Sequence, residues 1–354
     1  MPLYAPPGQY AWDFWLVPTP DGYHLFHLQA PRRLPAGLRH FHASVGHAFS
    51  HDLTHWEYRG TALAPGPKGE WDDQAIWTGS ILERDGRYWF LYTALERRRS
   101  LVQRIGLAVS DDLQHFAKHP ANPVMCADAR WYAKSRRLAP VEDWRDPFLF
   151  PTDGRIGALV TATAAPPADA RGWWESVRQA LDLATMPRFG RAVRRTAPRS
   201  PAGRGCLALA TSGDFSAWEV HPPLLPPGRY SHLECPQLFQ KDGLFYIIFS
   251  TLAGWVHPDW ARESGAAQTG VHGYAANRLE GPYEPVNGNG VILGDDSGAY
   301  VARAIPPDSP AGPWRAMAWL LAAPGSRKFC GKITSPFELE IRGNTIKAGP
   351  LPGE

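Results

Sequence analysis

FWLVPTPDGYHLFHL (14–28), SILERDGRYWFLY (80–92), FLFPTDGRIGALV (148–160) and QLFQKDGLFYIIF (237–249) are four versions of one pattern: a strand, a turn built on Asp-Gly, and a second strand. Asp-Gly supplies the backbone that a tight turn between two twisted antiparallel strands requires, so each stretch reads as a hairpin. A second shared element follows each one: GHAFSHDLTHW (46–56), GLAVSDDLQHF (106–116), LALATSGDFSAW (207–218) and GYAANRLEGPY (273–283). Two hairpins per unit, repeated, predict four-stranded antiparallel blades packed radially. AYVARAI (299–305) and WRAMAWLLA (314–322) read as a fifth, less regular blade, and FELEIRGNTIKAG (337–349) as the hairpin that completes it. The expected fold is all-β, a single five-bladed β-propeller over residues 1–354.

The third unit is stretched, running from Asp153 to Ser212 where the second runs from Asp85 to Ser110, so an insertion at about 165–205 is expected. Its first part, GWWESVRQALDLA, places Trp173, Val177, Ala180 and Leu181 on one helical face. Arg188, Arg191, Arg194, Arg195, Arg199 and Arg204 follow. A solvated surface excursion and a lid over the site are both open readings.

The repeat allows positions in different blades to be compared. Asp13, Trp77 and Glu234 each precede their turn aspartate by eight residues, and Asp146 precedes its own by seven. The first strand of a propeller blade is innermost, so Asp13, Asp146 and Glu234 should converge near the axis at one mouth. Carboxylates crowded there are costly unless paired or used. Glycoside hydrolysis uses such a set: one ionised group acts at the anomeric carbon, and a second, protonated, serves the leaving oxygen. Crowding pushes the two protonation equilibria apart.

Composition narrows the partners. A net charge of +3 on 354 residues, not gathered on one face, argues against nucleic acid. Fifteen tryptophans suit both a packed core and a carbohydrate site, whose C–H faces stack on aromatic rings. Cys126, Cys206, Cys235 and Cys330 fit no zinc pattern or compact disulfide framework and are expected to be reduced thiols. MPLYAPPGQYAWDFW has no signal-peptide pattern and no run reaches the roughly 20 apolar residues of a membrane span. A cytoplasmic protein, not bound to a membrane, is the expectation. The oligomeric state is not readable.

WDFW (12–15), YHLF (23–26), GHAFSHDLTHWE (46–57), WTGS (77–80), RDP (145–147) and ECP (234–236) together resemble the clan J glycosidases, families 32 and 68. The order and spacing of these motifs agree over nearly the whole chain. The resemblance implies a retaining mechanism with Asp13 as nucleophile, Glu234 as general acid/base and Asp146 as the carboxylate holding fructose hydroxyls. It also implies that Trp77 and Ser80 flank the sugar and that Arg145 orders the acids, with Trp12, Trp15 and Cys235 completing the subsite. No metal or organic cofactor is implied, and the partner is a small-molecule carbohydrate. The family 32 opening Asn-Asp-Pro-Asn-Gly is replaced by Trp12, Asp13, Phe14, Trp15 and Leu16, and Gln29 stands one position from the family's usual glutamine. The family's C-terminal β-sandwich is not expected, because the chain stops soon after the fifth blade.

The implied substrate is a β-fructofuranoside such as sucrose or a fructo-oligosaccharide. A family 43-like arabinofuranosidase, a transfructosylase and a non-catalytic sugar-binding propeller are the alternatives.

Overall fold

The computed structural model describes residues 3–99, 101–134, 142–166, 203–309, 312–322 and 328–352. The strands form five sheets, each built from consecutive segments. Blade 1 holds β1 (Gln9–Thr19), β2 (Gly22–Pro31), β3 (Ser44–Ser50) and β4 (Glu57–Leu63). Blade 2 holds β5 (Ala75–Arg84), β6 (Arg87–Leu95), β7 (Gln103–Ser110) and β8 (Ala117–Lys118), and blade 3 holds β9 (Trp144–Thr152), β10 (Arg155–Thr163), β11 (Gly205–Ser212) and β12 (Glu219–Leu225). Blade 4 comprises β13 (Glu234–Lys241), β14 (Leu244–Thr251), β15 (Gly270–Ala276), β16 (Glu284–Pro285) and β17 (Val291–Leu293). Blade 5 comprises β18 (Ala299–Ile305), β19 (Trp314–Ala322), β20 (Phe329–Ile333), β21 (Phe337–Arg342) and β22 (Thr345–Ala348).

The five blades match the expectation from the repeat, except that blades 4 and 5 each gain a short fifth strand, β17 on β15 and β20 on β19. The insertion in blade 3, its helical part and all its arginines except Arg204 lie outside the described residues. Strands β1, β5, β9, β13 and β18 touch their neighbours in turn, and β18 returns to β1, so five inner strands surround one axis. Tyr4 helps to close the ring by pairing with Ile333 of β20 through two main-chain hydrogen bonds of 2.7 and 2.9 Å.

The repeated motifs have local causes. Asp85-Gly86, Asp153-Gly154 and Asp242-Gly243 all take positive φ, the two-residue hairpin turn expected of Asp-Gly. Blade 1 differs: its turn is Pro20-Asp21, because Thr19 pairs with Gly22. The proline ring holds φ negative, so that turn cannot be of the same type. In the second shared element, Oδ1 of Asp52 accepts the N–H groups of Thr54 and His55. Asp112 and Asp214 repeat this arrangement.

Between blades the core is largely aromatic. Trp89 stacks on Phe215 at 4.6 Å, and Phe90 packs against Phe26 and Phe116. Removing one such fully buried ring would cost about 3–5 kcal/mol. This packing fixes the inner strands that carry the site.

Candidate active site

Every inner strand is irregular at the same depth. Pairing to the second strand slips at Asp13 in β1, at Thr78 in β5, across Asp146 and Pro147 in β9, across Cys235 and Pro236 in β13, and across Tyr300 and Val301 in β18. A bulge bends a strand and re-aims its side chains. Asp146 and Cys235, each followed by proline, both take positive φ, of 56° and 52°. They are therefore counterparts, and so are Arg145 and Glu234.

The structure brings Asp13, Asp146 and Glu234 close enough for their charges to act on one another. Arg145 joins two of them: Nη2 donates to Oε1 of Glu234 at 2.9 Å, and Nε lies 3.5 Å from Oδ2 of Asp146. Its Nη1 donates to Asp143 at 2.8 Å and to Gln103 at 3.2 Å, and Nη2 also meets His232. Glu234 receives a second bond at Oε2 from the Tyr300 hydroxyl at 2.5 Å. Asp13 accepts from Thr78 Oγ1 at 2.9 Å and from the indole of Trp319 at 2.8 Å. Oδ2 of Asp146 accepts the backbone N–H of Cys235 at 3.1 Å, and its own N–H donates to Thr93.

Electrostatics divides the acids. Burial, followed by the charge of Glu234, pushes the Asp13 carboxyl above its ordinary range, against the hydrogen bond of Thr78, the charge of Arg39 and the bond of Trp319. Burial pushes Asp146 up to about 7; Arg145 opposes this, and Glu234 and Asp13 reinforce it. Asp146 is only 4% exposed, whereas the Glu234 side chain is 22% exposed. Glu234 is thus the more accessible of the two, and Asp13, half-buried, stands beside it.

Several residues expected around the sugar are elsewhere. Ser80 is buried, donating to the carbonyl of Pro147 and accepting from the N–H of Leu149, so it joins blade 2 to blade 3. The bulge at Thr78 reverses the alternation and turns Thr78 to Asp13 in its place. Trp15 is core, packed on Phe26 and Phe90. Trp12 is fully buried with its ring against His40 and Arg39, which it supports from behind. The Cys235 thiol is buried too, and what it offers the site is its main-chain N–H. Trp77 stays at the mouth, half-buried, donating to the carbonyl of His40 at 2.6 Å. Gln29 is buried among Ser44, Tyr58 and Thr61 of its own blade.

The sequence reading missed Arg39, His40, Thr78, Tyr300 and Trp319. Arg39 and His40 come from the loop between β2 and β3, where burial brings Arg39 down to about 10 and holds His40 well below its ordinary range. Among the described residues no group of His, Cys, Asp or Glu is arranged to hold a metal ion, and no helix is long and apolar enough to cross a membrane. A separate cleft of about 490 Å³ is lined by Arg229, Tyr230, His257 and Trp260. It contains none of the three acids.

Five blades thus surround a mouth that holds an Asp, Asp and Glu set. Residues 16–176 match the glycosyl hydrolases family 32 N-terminal domain. A levansucrase of Rahnella aquatilis is 26% identical over 272 residues, covering 73% of this chain and 60% of its own length. An extracellular sucrase of Zymomonas mobilis is 26% identical over 314 residues, covering 80% of this chain and 70% of its own. The inulosucrase from Halalkalicoccus jeotgali bound to kestose superposes with a TM-score of 0.74 at 21% identity, over 99% of this chain and 91% of that one. Bacillus subtilis levansucrase gives 0.71 at 16% identity, over 98% and 88%. The chain is thus similar to glycosidases of the clan J, family 32/68 type and shares their propeller fold. It spans about 60% of the length of the Rahnella relative.

Proposed function

We propose that the protein cleaves a β-fructofuranoside, sucrose or a short fructo-oligosaccharide, with retention of configuration. One observation carries the reading: Asp13 and Glu234 face one mouth on different blades, Glu234 held by Arg145 and Tyr300 and Asp13 by Thr78 and Trp319. In the first step an oxygen of Asp13 bonds to the anomeric carbon as the glycosidic C–O bond breaks, and the leaving oxygen takes the proton of Glu234. In the second, Glu234 removes a proton from the acceptor, whose oxygen displaces Asp13. On this reading Asp146, fixed by Arg145 and the Cys235 N–H, holds sugar hydroxyls. The names of the relatives, levansucrase and sucrase, support a fructoside as substrate.

An acceptor sugar in place of water is the second reading, favoured by the levansucrase relatives and the inulosucrase neighbour. The test is a panel of sucrose, inulin, levan and aryl arabinofuranosides, with free fructose and oligomers quantified. Fructose release or fructosyl transfer from sucrose, lost about 10²- to 10⁴-fold in Glu234→Gln and also lost in Asp13→Asn, is expected. Turnover confined to arabinofuranosides, or variants as active as the parent, would refute it.

A further inference from the structure

Arg303 belongs to β18 and is 4% exposed. Its side chain reaches behind the acids: Nε donates to the carbonyl of Phe14 at 2.8 Å, and Nη1 to the carbonyls of Cys235 at 2.9 Å and Pro236 at 3.0 Å. Phe14 follows Asp13 and Cys235 follows Glu234, so one guanidinium grips the main chain immediately behind both acids, across three blades. These partners are carbonyls, not carboxylates. Desolvating a guanidinium is costly, and the charges that favour it are those of the Asp13 and Asp146 carboxylates.

The groups facing this centre come from every inner strand but one. Asp13 stands on β1, Arg145 and Asp146 on β9, Glu234 and Cys235 on β13, and Tyr300 on β18, where β5 presents the neutral Thr78. Arg39 enters from the β2–β3 loop, while Asp143 and His232 flank Arg145, His232 held below its ordinary range by burial. Four carboxyl groups thus face three guanidinium groups, and the cluster is neutral when a single carboxyl holds a proton. Acid catalysis on the reading above needs that state. Without Arg303 one negative charge is left over, and a second proton is drawn in.

We propose that Arg303 is a positioning residue of the catalytic centre, which braces the backbone behind Asp13 and Glu234 and supplies the charge that keeps the cluster at one proton. The proposal rests on the reading given under Proposed function. Arg303→Met removes charge and brace together, and Arg303→Lys keeps the charge while losing most of the brace. Carboxyl titration by 13C NMR of side-chain-labelled aspartates, assigned with Asp13→Asn and Asp146→Asn, reads the charge without turnover.

In Arg303→Met the Asp13 and Asp146 titrations should move up by about one pH unit, and the acidic limb of kcat/KM on sucrose should move with them. Arg303→Lys should titrate within a few tenths of a unit of the parent while losing kcat at nearly unchanged KM. A folded Arg303→Met protein that titrates like the parent, or an Arg303→Lys protein displaced by a full unit, overturns the proposal. If Arg303→Met does not fold, the lysine variant alone decides on the same criterion. A parent inactive on every fructoside refutes the fructosidase reading, and the titrations still judge the charge of Arg303.

Discussion

The Tyr300 hydroxyl donates to Oε2 of Glu234 at 2.5 Å. The Tyr300 ring also stands edge-on to Trp319, 5.5 Å between centroids, and Trp319 donates to Oδ1 of Asp13. Two neighbouring rings of blade 5 therefore hold the two acids proposed to act in one reaction. A hydrogen bond to a charged group contributes about 1.5–3 kcal/mol. Tyr300→Phe should keep the fold and lose roughly 10- to 100-fold in kcat, measured on sucrose at the parent's optimum; an unchanged kcat would remove Tyr300 from the site.

Thr78 makes a separable prediction. Its bond to Asp13 favours the ionised carboxylate, opposing the upward push of burial and Glu234. Thr78→Val should therefore leave Asp13 protonated to higher pH and move the acidic limb of kcat/KM upward. Thr78→Ser keeps the donor and should leave that limb in place. Identical profiles in all three proteins would contradict the assignment.

Asp146 links the site to stability. Its carboxyl titrates at about 7 in the fold, against an ordinary value of 3.8. Between these values the folded protein holds a proton that the unfolded chain has released, so stability falls as pH rises from about 4 to about 7. Asp146→Asn removes this dependence. Its melting temperature relative to the parent should be higher at pH 8 than at pH 5, by roughly 2–4 °C, while activity is lost. Parallel melting curves for the two proteins across this range would show that Asp146 is not strained by its charge.

The hairpins were legible because Asp-Gly turns are local, and those turns also locate Asp13, Asp146 and Glu234 on their strands. What escaped follows from the bulges. The resemblance implies that Trp77 and Ser80 flank the sugar, but the slip at Thr78 turns a residue between them to Asp13. Treating Asp146 as the equivalent of Glu234 overlooks their one-residue difference in distance from the turn, and the backbone pairs Asp146 with Cys235. Blade 5 has no Asp-Gly turn between β18 and β19, so Tyr300 and Arg303 carry no repeat mark. Their roles, like that of Trp319, arise from contacts between blades distant in sequence, which no local pattern records.

The central claim is that Asp13 bonds to the sugar. The parent protein, mixed with sucrose, quenched in acid within the first turnovers and digested, should yield a peptide containing Asp13 that is heavier by one hexosyl unit, and Asp13→Asn should yield none. Turnover of sucrose by the parent with no adduct at any time point, or an adduct on another residue, would contradict the account.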